Sequence, residues 1–283
     1  GFIGSHLVDR LIGLGHELVV LDNLSNADTS NLHPEATFIE GDITDVDCVN
    51  DALATADACV HLAAVSSVQA SIDDWIGTHE INATGSLNIF NAARRDKTPV
   101  IYASSAAVYG NCDQTPLSET LKTTPLTAYG ADKLATEHNA AVAWLVHLVP
   151  SIGLRFFNVF GPRQNPNSPY SGVISIFNNR ISSQKPVTLF GDGSQQRDFI
   201  YVDDVVDSLV LALDHAKSDA RVFNICTGVA TDLITLANHI GEAYKLKPTL
   251  EYKPTRTGDI HTSVGDPHYA KQALNFSASR PLK

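Results

Sequence analysis

The sequence lacks methionine altogether and has few basic side chains. Its 20 lysines and arginines stand against 31 aspartates and glutamates, which leaves a formal charge of -11 over 283 residues. Such a charge argues against nucleic acid and against anionic membrane surfaces as partners. The longest apolar run, at 140–149, is interrupted by His147 and falls short of the roughly 20 residues that span a membrane. We therefore expect neither nucleic-acid nor membrane binding.

Cysteine is also scarce, and Cys48, Cys59, Cys112 and Cys226 are widely separated. Their spacing is typical neither of a metal site nor of a redox pair, so we expect no metal. Two of the four lie in apolar, strand-like runs and are interpreted as core residues. A reducing, cytoplasmic location fits this usage best.

The start of the chain lacks a methionine and reads as part of a motif, Gly1-Phe2-Ile3-Gly4. A helix is predicted from there to about Leu14, followed by a buried strand that ends at Asp22. In dinucleotide-binding folds, glycines bring the backbone close to a pyrophosphate, and an acid about 20 residues later binds the ribose. By itself Gly-x-x-Gly favours a plain tight turn. The complete pattern needs another glycine and a strand before Gly1, so we expect the chain to be a fragment.

Strand and helix signals then alternate along the chain. Strands are predicted at 36–40, 58–64, 99–105 and 152–157, with helices at 44–54, 73–95 and from Lys133 to about Val149. This alternation predicts a parallel sheet covered by helices on both faces, with ligands beyond the carboxyl ends of the strands. Several candidate residues fall at such ends: Asp22, Asp42, Ala63, Ala64, Ser104, Ser105, Phe156, Phe157 and Asn158.

The regular alternation of strands and helices stops after Asn158, and a loop with three prolines is predicted at 161–172. Beyond it we predict a helix at 173–183, strands at 186–190 and 198–202, a helix capped by Asp203 that reaches His215, and a strand at 222–226 that returns to the first sheet. We expect a larger domain of residues 1–157 and 203–227, and a smaller substrate domain of residues 158–202 and 228–283.

Tyr129 and Lys133 lie four residues apart at the start of a predicted helix. Residues at this spacing share one face of a helix, so the phenol and the ammonium would lie together. A nearby cation lowers the pKa of a phenol, and the pair could then remove a proton from a sugar hydroxyl. The spacing alone more often belongs to two exposed helix residues, so its meaning depends on a cofactor site around it.

Taken together, these pieces resemble one family over residues from Gly1 to about Phe276. The matching motifs are Gly1–His6, Leu21–Asn23, Gly41–Ile43, His61–Ala64, Ser104–Gly110, the Tyr129/Lys133 pair, Arg155–Val159, Gly161–Gln164, Gly191–Gly193, Arg197–Asp204 and the Arg256-x-Gly-Asp run. The chain resembles the extended short-chain dehydrogenase/reductases, and within them the nucleotide-sugar 4-epimerases. The resemblance implies a Rossmann-like, doubly wound α/β fold that lacks its first strand here, with a smaller α/β substrate domain.

The resemblance also implies NAD as the cofactor and assigns residues to three roles. Tyr129 would be the base on the 4-hydroxyl of the sugar, Ser105 would share the proton relay, and Lys133 would bind the nicotinamide ribose and lower the pKa of Tyr129. Cofactor contacts are expected from Gly1, Phe2, Ile3, Gly4, Asp22, Asn23, Asp42, Ile43, Leu62, Ala63, Ala64, Asn82, Ser104, Tyr129, Lys133 and Phe156. Substrate contacts are expected from Ser67, Ser105, Asn158, Val173, Arg197, Arg256, Asp259 and Ser263.

Some of these implied roles are specific. Asp22 would bind the adenosine ribose, Asp42 the adenine amine, and Asn82 the nicotinamide side. Arg197 and Arg256 would hold the diphosphate, which suits guanidinium donors. A surface salt bridge, for instance with Asp198 or Asp259, is an equally good interpretation of these arginines.

The implied reaction is redox-neutral 4-epimerisation of a UDP-hexose through a transient 4-keto sugar. UDP-glucose and UDP-galactose are the expected pair. The small Ser263 beside the C2 substituent would also admit the N-acetylated pair. Related dehydratases and decarboxylases carry acids where this chain has Ala106 and Ala107, and a methyl group transfers no proton. A UDP-glucuronate epimerase or decarboxylase, a dTDP-glucose dehydratase and a non-catalytic dinucleotide-binding regulator remain the alternatives. A homodimer is expected, through residues 83–94 and the helix after Lys133.

Overall fold

The structure is a computed structural model that describes residues 1–25, 29–164, 172–255 and 260–282. Two of the expected substrate residues, Arg256 and Asp259, lie outside the described residues. No helix in the described part of the chain is long and apolar enough to cross a bilayer.

The strands are short and mostly parallel. They are β1 (Val19–Asp22), β2 (Thr37–Glu40), β3 (Cys59–His61), β4 (Val100–Ser105), β5 (Ser151–Phe156), β6 (Asn158–Phe160), β7 (Val187–Phe190), β8 (Gln196–Tyr201), β9 (Ala220–Ile225), β10 (Ala230–Asp232), β11 (Leu250–Lys253) and β12 (Thr262–Ser263).

The helices alternate with these strands, most regularly in the first half of the chain. They are α1 (Phe2–Gly13), α2 (Val46–Leu53), α3 (Val68–Asp73), α4 (Trp75–His79), α5 (Ser86–Ala93), α6 (Ala128–His147), α7 (Val173–Ser182), α8 (Val202–His215), α9 (Leu233–Tyr244) and α10 (His268–Leu274). A π turn, Glu80–Gly85, joins α4 to α5, and short 3₁₀ turns cover Thr29–Asn31 and Ala106–Tyr109.

The main sheet has the strand order β3-β4-β5-β9, and all its pairs are parallel. β1 and β2 form a separate parallel pair. β5 is buried along its whole length and β4 along most of its length because helices cover both of their faces, as is usual for parallel sheets. The predicted α/β alternation and the return of a late strand to the first sheet, as β9, are therefore confirmed.

Two of the predicted elements are wrong in detail. The long helix expected at 73–95 is interrupted at Asp74, whose carboxylate caps α4 by accepting from the Gly77 amide, and again by the π turn. Asp203 does not cap α8, because the N-cap position is Tyr201 and Asp203 lies in the first turn. An acid in the first turn still interacts favourably with the helix dipole. Asp203 therefore marks the start of α8, but it lies two residues after the N-cap position.

A second layer of strands packs on the later helices. β8 pairs with β6, β10 and β12, and β7 pairs with β11. The apolar side chains of α7, α9 and β7 form the core of this part. α10 packs instead against α8 and β9, and Leu274 belongs to the core of the main sheet. The division of the chain into two domains stays a prediction.

Candidate active site

Thr127 and Gly130 place the start of α6 against the end of β4. Thr127 has an extended backbone, and its hydroxyl accepts a hydrogen bond from the Gly130 amide, which fixes where the helix begins. A Cβ on Gly130 would come within 2.8 Å of the Ala107 carbonyl oxygen. Glycine therefore lets the first turn of α6 approach the 3₁₀ turn after Ser105, and it carries Tyr129 into that contact.

Ser105, Tyr129 and Lys133 are brought together as the sequence predicts. The Ser105 hydroxyl lies close enough to the Tyr129 phenol to lower its pKa by side-chain hydrogen bonding. The Lys133 ammonium nitrogen lies 5.9 Å from the centre of the Tyr129 ring. The Ser105 hydroxyl also accepts from the Ala107 amide at 3.1 Å, which orients it at the end of β4. A phenol, a hydroxyl and an ammonium thus face one another where ligands bind in parallel sheets.

The pKa values of this group are governed by burial. Burial raises the pKa of the Tyr129 phenol above its usual value, and the hydrogen bond from Ser105 offsets part of that rise. Burial outweighs the effect of Ser105 on the phenol, and the expectation that Lys133 lowers the pKa of Tyr129 stays a prediction. Burial also lowers the pKa of Lys133 itself to about 8, although the nearby Asp132 carboxylate favours the charged form.

A second buried group lies beneath Lys133. Burial, together with the Lys133 charge, lowers the pKa of His61 to about 3, so this imidazole is neutral at physiological pH. Its Nε2 lies 2.8 Å from the Ser86 hydroxyl, which donates to the Asn82 carbonyl. The Asn82 side chain bonds the backbone amide and carbonyl of Val65 at 2.8 and 3.1 Å. The π turn thus presents Asn82 to the loop that follows β3, a placement common for π turns at functional sites.

The expected cofactor edge is formed by the ends of β1 and β2 and the first turn of α1. The Asp22 carboxylate lies 3.3 Å from the Gly1 backbone nitrogen. Asn23 donates to Asp42 at 2.7 Å, and the pKa of Asp42 is lowered chiefly by a hydrogen bond from the Thr44 amide. The first turn of α1 contains no acidic side chain. A helix N-terminus without acids beside two carboxylates fits a dinucleotide, with the pyrophosphate at the helix and the ribose and adenine at the acids.

Other residues of the expected cofactor set line the same edge or the core behind it. Gly4 approaches Leu62, since a Cβ on Gly4 would lie 4.0 Å from the Leu62 methyl. Ile43 packs tightly against Gly85 and is buried. The Ser104 hydroxyl is buried and donates to the Glu137 carboxylate, and its contact with the cofactor stays a prediction. Phe2, Ile3, Ala63, Ala64 and Phe156 lie at the start of α1, after β3 and at the end of β5.

Three of the expected substrate residues, Asn158, Arg197 and Ser263, lie on β8 or on strands paired with it. Ser263 pairs with Arg197 across the β8–β12 register. The Arg197 guanidinium donates to the backbone carbonyls of Gln196 and His261. Asn158 donates to the Asp198 carbonyl at 3.1 Å, which ties the end of the first sheet to β8.

The Asp198 side chain faces the opposite side of the strand from Arg197, as neighbouring strand residues do. Its buried carboxylate accepts hydrogen bonds from Thr227, Gly228 and Gly265. Asp198 therefore joins three chain segments, a role that the sequence did not reveal.

Two expected substrate residues have other visible contacts. The Ser67 hydroxyl caps α3 by accepting from the Ala70 amide. Val173 begins α7 and packs against the core of the second layer. Their contact with substrate stays a prediction.

Sequence reasoning also missed a buried polar network around Glu137 and Arg155. Two signals were available. Glu137 continues the Tyr129–Lys133 spacing by one more helical turn, and Arg155 interrupts an otherwise apolar strand. A charged residue inside such a strand requires a buried partner, although its spacing does not say which.

A family model described as the NAD dependent epimerase/dehydratase family matches residues 1–226. The chain belongs to this family. The family thereby confirms NAD as the cofactor predicted from the sequence. The UDP-glucose 4-epimerase of Mycolicibacterium smegmatis is 36% identical over an alignment 291 positions long, which covers 98% of this chain and 90% of that protein.

Solved structures agree with this assignment. The UDP-glucose 4-epimerase of Thermotoga maritima, solved with UDP-glucose, is 35% identical with a TM-score of 0.94 and covers 100% of this chain and 92% of its own. The UDP-N-acetylglucosamine 4-epimerase of Methanobrevibacter ruminantium, solved with UDP-N-acetylmuramic acid, is 33% identical with a TM-score of 0.94. This match covers 99% of the present chain and 90% of that one. The predicted Rossmann-like α/β fold is confirmed.

Proposed function

We propose that this chain is an isomerase that interconverts UDP-glucose and UDP-galactose at C4 through a transient 4-keto sugar. The observation that carries the proposal is the contact of Tyr129 with Ser105 beside Lys133, at the end of a strand where Ala106 and Ala107 follow. This group can move one proton, and the turn after it offers no acid for eliminating water. The similarity to UDP-glucose 4-epimerases supports the same substrate class.

The residues divide the chemistry as follows. Bound NAD would supply the reversible hydride transfer at C4 of the sugar. Tyr129 takes the proton of the 4-hydroxyl and later returns it, while Ser105 holds the reacting oxygen and the phenol in one hydrogen-bonded line. Lys133 holds the nicotinamide ribose and keeps positive charge near the phenolate. Because no net oxidation occurs, NAD need not leave between turnovers.

The remaining cofactor and substrate contacts are proposed at the residues that the sequence predicts. Gly1–Gly4, Asp22 and Asp42 would hold the adenosine half and the pyrophosphate of NAD, and Asn82 would order the loop beside the nicotinamide. Arg197, with Arg256, would pair with the UDP diphosphate. Ser263 would lie beside the C2 substituent of the sugar, where a small side chain leaves room for an N-acetyl group.

The test is to incubate the purified protein with UDP-glucose, UDP-N-acetylglucosamine, UDP-glucuronate and dTDP-glucose and to separate the products by chromatography. A 4-epimer of UDP-glucose is the expected product. A 4-keto-6-deoxy sugar would instead identify a dehydratase, and a pentose with release of CO₂ a decarboxylase. No turnover of any of the four, with NAD bound, would favour a non-catalytic dinucleotide-binding regulator.

We also infer a homodimer formed through the helices beside the active site. Trp75, Ile76 and Leu145 are 69%, 75% and 76% exposed. Together with Leu87 and Val146 they form an apolar face on α4, α5 and α6, whose helices pack on one another. Exposed apolar side chains along packed helices are typical of subunit interfaces.

Light scattering after size exclusion tests the homodimer. Leu145→Glu should convert a dimer to a monomer, whereas Tyr252→Glu, at an exposed position on β11, should leave it unchanged. A wild-type monomer would refute the inference.

The four cysteines are all free, which supports a reducing, cytoplasmic location.

A further inference from the structure

A buried polar network joins α6 to the main sheet. The Glu137 carboxylate accepts from Arg155 Nε at 2.8 Å, from Arg155 Nη2 at 2.7 Å and from the Ser104 hydroxyl at 2.5 Å. Arg155 Nη1 donates to the Tyr109 hydroxyl at 2.9 Å, and that hydroxyl donates to Asn224 at 2.7 Å. Glu137 and Arg155 are 8% and 6% exposed, and the other three residues are almost fully buried. We call these five residues the polar network.

Stability alone gives a weak reason for such a network. Removing two charges from water costs about as much as their attraction returns, and apolar residues of similar volume often replace a buried ion pair without loss. What a bidentate carboxylate–guanidinium pair does supply is a fixed geometry, because both hydrogen bonds must align at once.

Part of the polar network lies on the helix, the strand and the turn that carry Tyr129, Lys133 and Ser105. Glu137 lies one helical turn after Lys133 and two turns after Tyr129, on the same face of α6. Ser104 directly precedes Ser105 on β4. Tyr109 ends the 3₁₀ turn that begins after Ser105, and Arg155 stacks over its ring with 4.8 Å from the guanidinium carbon to the ring centre. Glu137 therefore connects the helix of Tyr129 directly to β4 through Ser104, and through Arg155 on β5 to the turn that follows Ser105.

We propose that Glu137 and Arg155 are positioning residues that hold α6 on β4 so that Tyr129 stays within hydrogen-bond reach of Ser105. The inference deepens the proposed function and rests on it, since the Ser105–Tyr129 contact is the proposed proton relay. Neither residue touches the reacting atoms. They act through the placement of the helix and the strand.

The consequence can be measured at the phenol. The Ser105 hydrogen bond lowers the pKa of Tyr129, so a variant that lets α6 move away should raise that pKa. Two variants suit the test: Glu137→Gln, which replaces one acceptor oxygen with a donor facing the guanidinium, and the double variant Glu137→Met/Arg155→Met, which removes both charges with similar volume. Ser105→Ala provides the reference shift for complete loss of the hydrogen bond.

In both network variants we expect kcat to fall at least about tenfold with KM within about twofold, because no substrate contact is removed. The pH at half-maximal kcat should move upward by about one unit, as in Ser105→Ala. Thr136→Val is the matched control. It is buried one residue away on α6, and its hydroxyl bonds the Asp132 carbonyl of its own helix. It should leave kcat and the pH profile unchanged.

A readout that needs no activity separates this inference from the proposed function. With tyrosines labelled with ¹³C at the ring carbon that bears the hydroxyl, NMR follows the titration of Tyr129, assigned by its absence in Tyr129→Phe. If the wild type lacks epimerase activity, the proposed function fails, while the titration still decides the role of the network. A double variant with wild-type kcat and unchanged Tyr129 titration would overturn the proposal. So would failure of both network variants to fold, since the pair would then serve folding itself.

Discussion

Replacing Lys133 by methionine should stabilise the protein while it removes the activity. Lys133 is only 3% exposed, and burial lowers the pKa of its ammonium from 10.5 to about 8. The difference of about 2.5 units, at about 1.4 kcal/mol per unit, means that the charged form costs the folded state about 3 kcal/mol. Methionine keeps the length of the side chain without the charge, so the free energy of unfolding should rise by about 2–3 kcal/mol near pH 7.

The dependence on pH has a definite sign. Below pH 8 the folded and unfolded chains both carry the proton, and the wild type bears the full cost. Between pH 8 and 10.5 the folded protein loses this proton while the unfolded chain keeps it, so wild-type stability rises with pH relative to the variant. The advantage of Lys133→Met should therefore shrink across this window.

Urea unfolding followed by circular dichroism from pH 6.5 to 10 measures the difference. NAD must be removed from both proteins, because a ligand bound to the folded state adds its own stabilisation. The control is Lys122→Met, at an exposed position, which should change stability by less than about 0.5 kcal/mol at every pH.

Two results would refute the reasoning. Lys133→Met could be less stable than the wild type at pH 7, which would mean that the ammonium gains more from its surroundings than burial costs it. The stability difference could also stay constant up to pH 10, which would mean that Lys133 titrates with an ordinary pKa.

Three further predictions concern the reaction. Tyr129→Phe should lower kcat at least about a hundredfold while the protein keeps its NAD, as judged by cofactor extraction, and a variant with most of its activity would exclude Tyr129 as the base. Cofactor released from the purified wild type should be NAD and not NADP, because the Asp22 carboxylate repels a 2′-phosphate; NADP in the extract would contradict this role for Asp22. Ser263→Tyr should abolish epimerisation of UDP-N-acetylglucosamine and spare UDP-glucose, and equal losses of kcat/KM on both substrates would show that Ser263 does not select them.

Much of the fold could be predicted because its signals are local. Apolar runs bounded by glycine, proline or acids marked the main-sheet strands, and their alternation with helices required parallel pairing. The predicted helix boundaries were wrong where an aspartate can occupy either the N-cap or a position within the helix. Asp203 suggested a cap but lies in the first turn of α8, and Asp74, inside an apparently continuous helix, starts a new one.

The reacting group was predictable in part. The spacing of Tyr129 and Lys133 placed them on one helical face, and the strand end placed Ser105 nearby. The pKa of Tyr129 could not be predicted, because the sequence reports a neighbouring cation but not the loss of hydration. The polar network could not be predicted either, since Glu137 meets Arg155 and Tyr109 meets Asn224 only once the sheet has formed.

The position of β9 in the main sheet has a consequence for synthesis of the chain. β5 ends at Phe156, but its neighbour β9 is complete only at Ile225, 69 residues later. At ribosomal rates of about 5–20 residues per second, one edge of β5 has no partner strand for about 3–14 s after it emerges. β5 carries Ile152, Leu154 and Phe156 on one face. The nascent protein therefore passes through an interval in which contact with another chain, or with a chaperone, competes with its own completion.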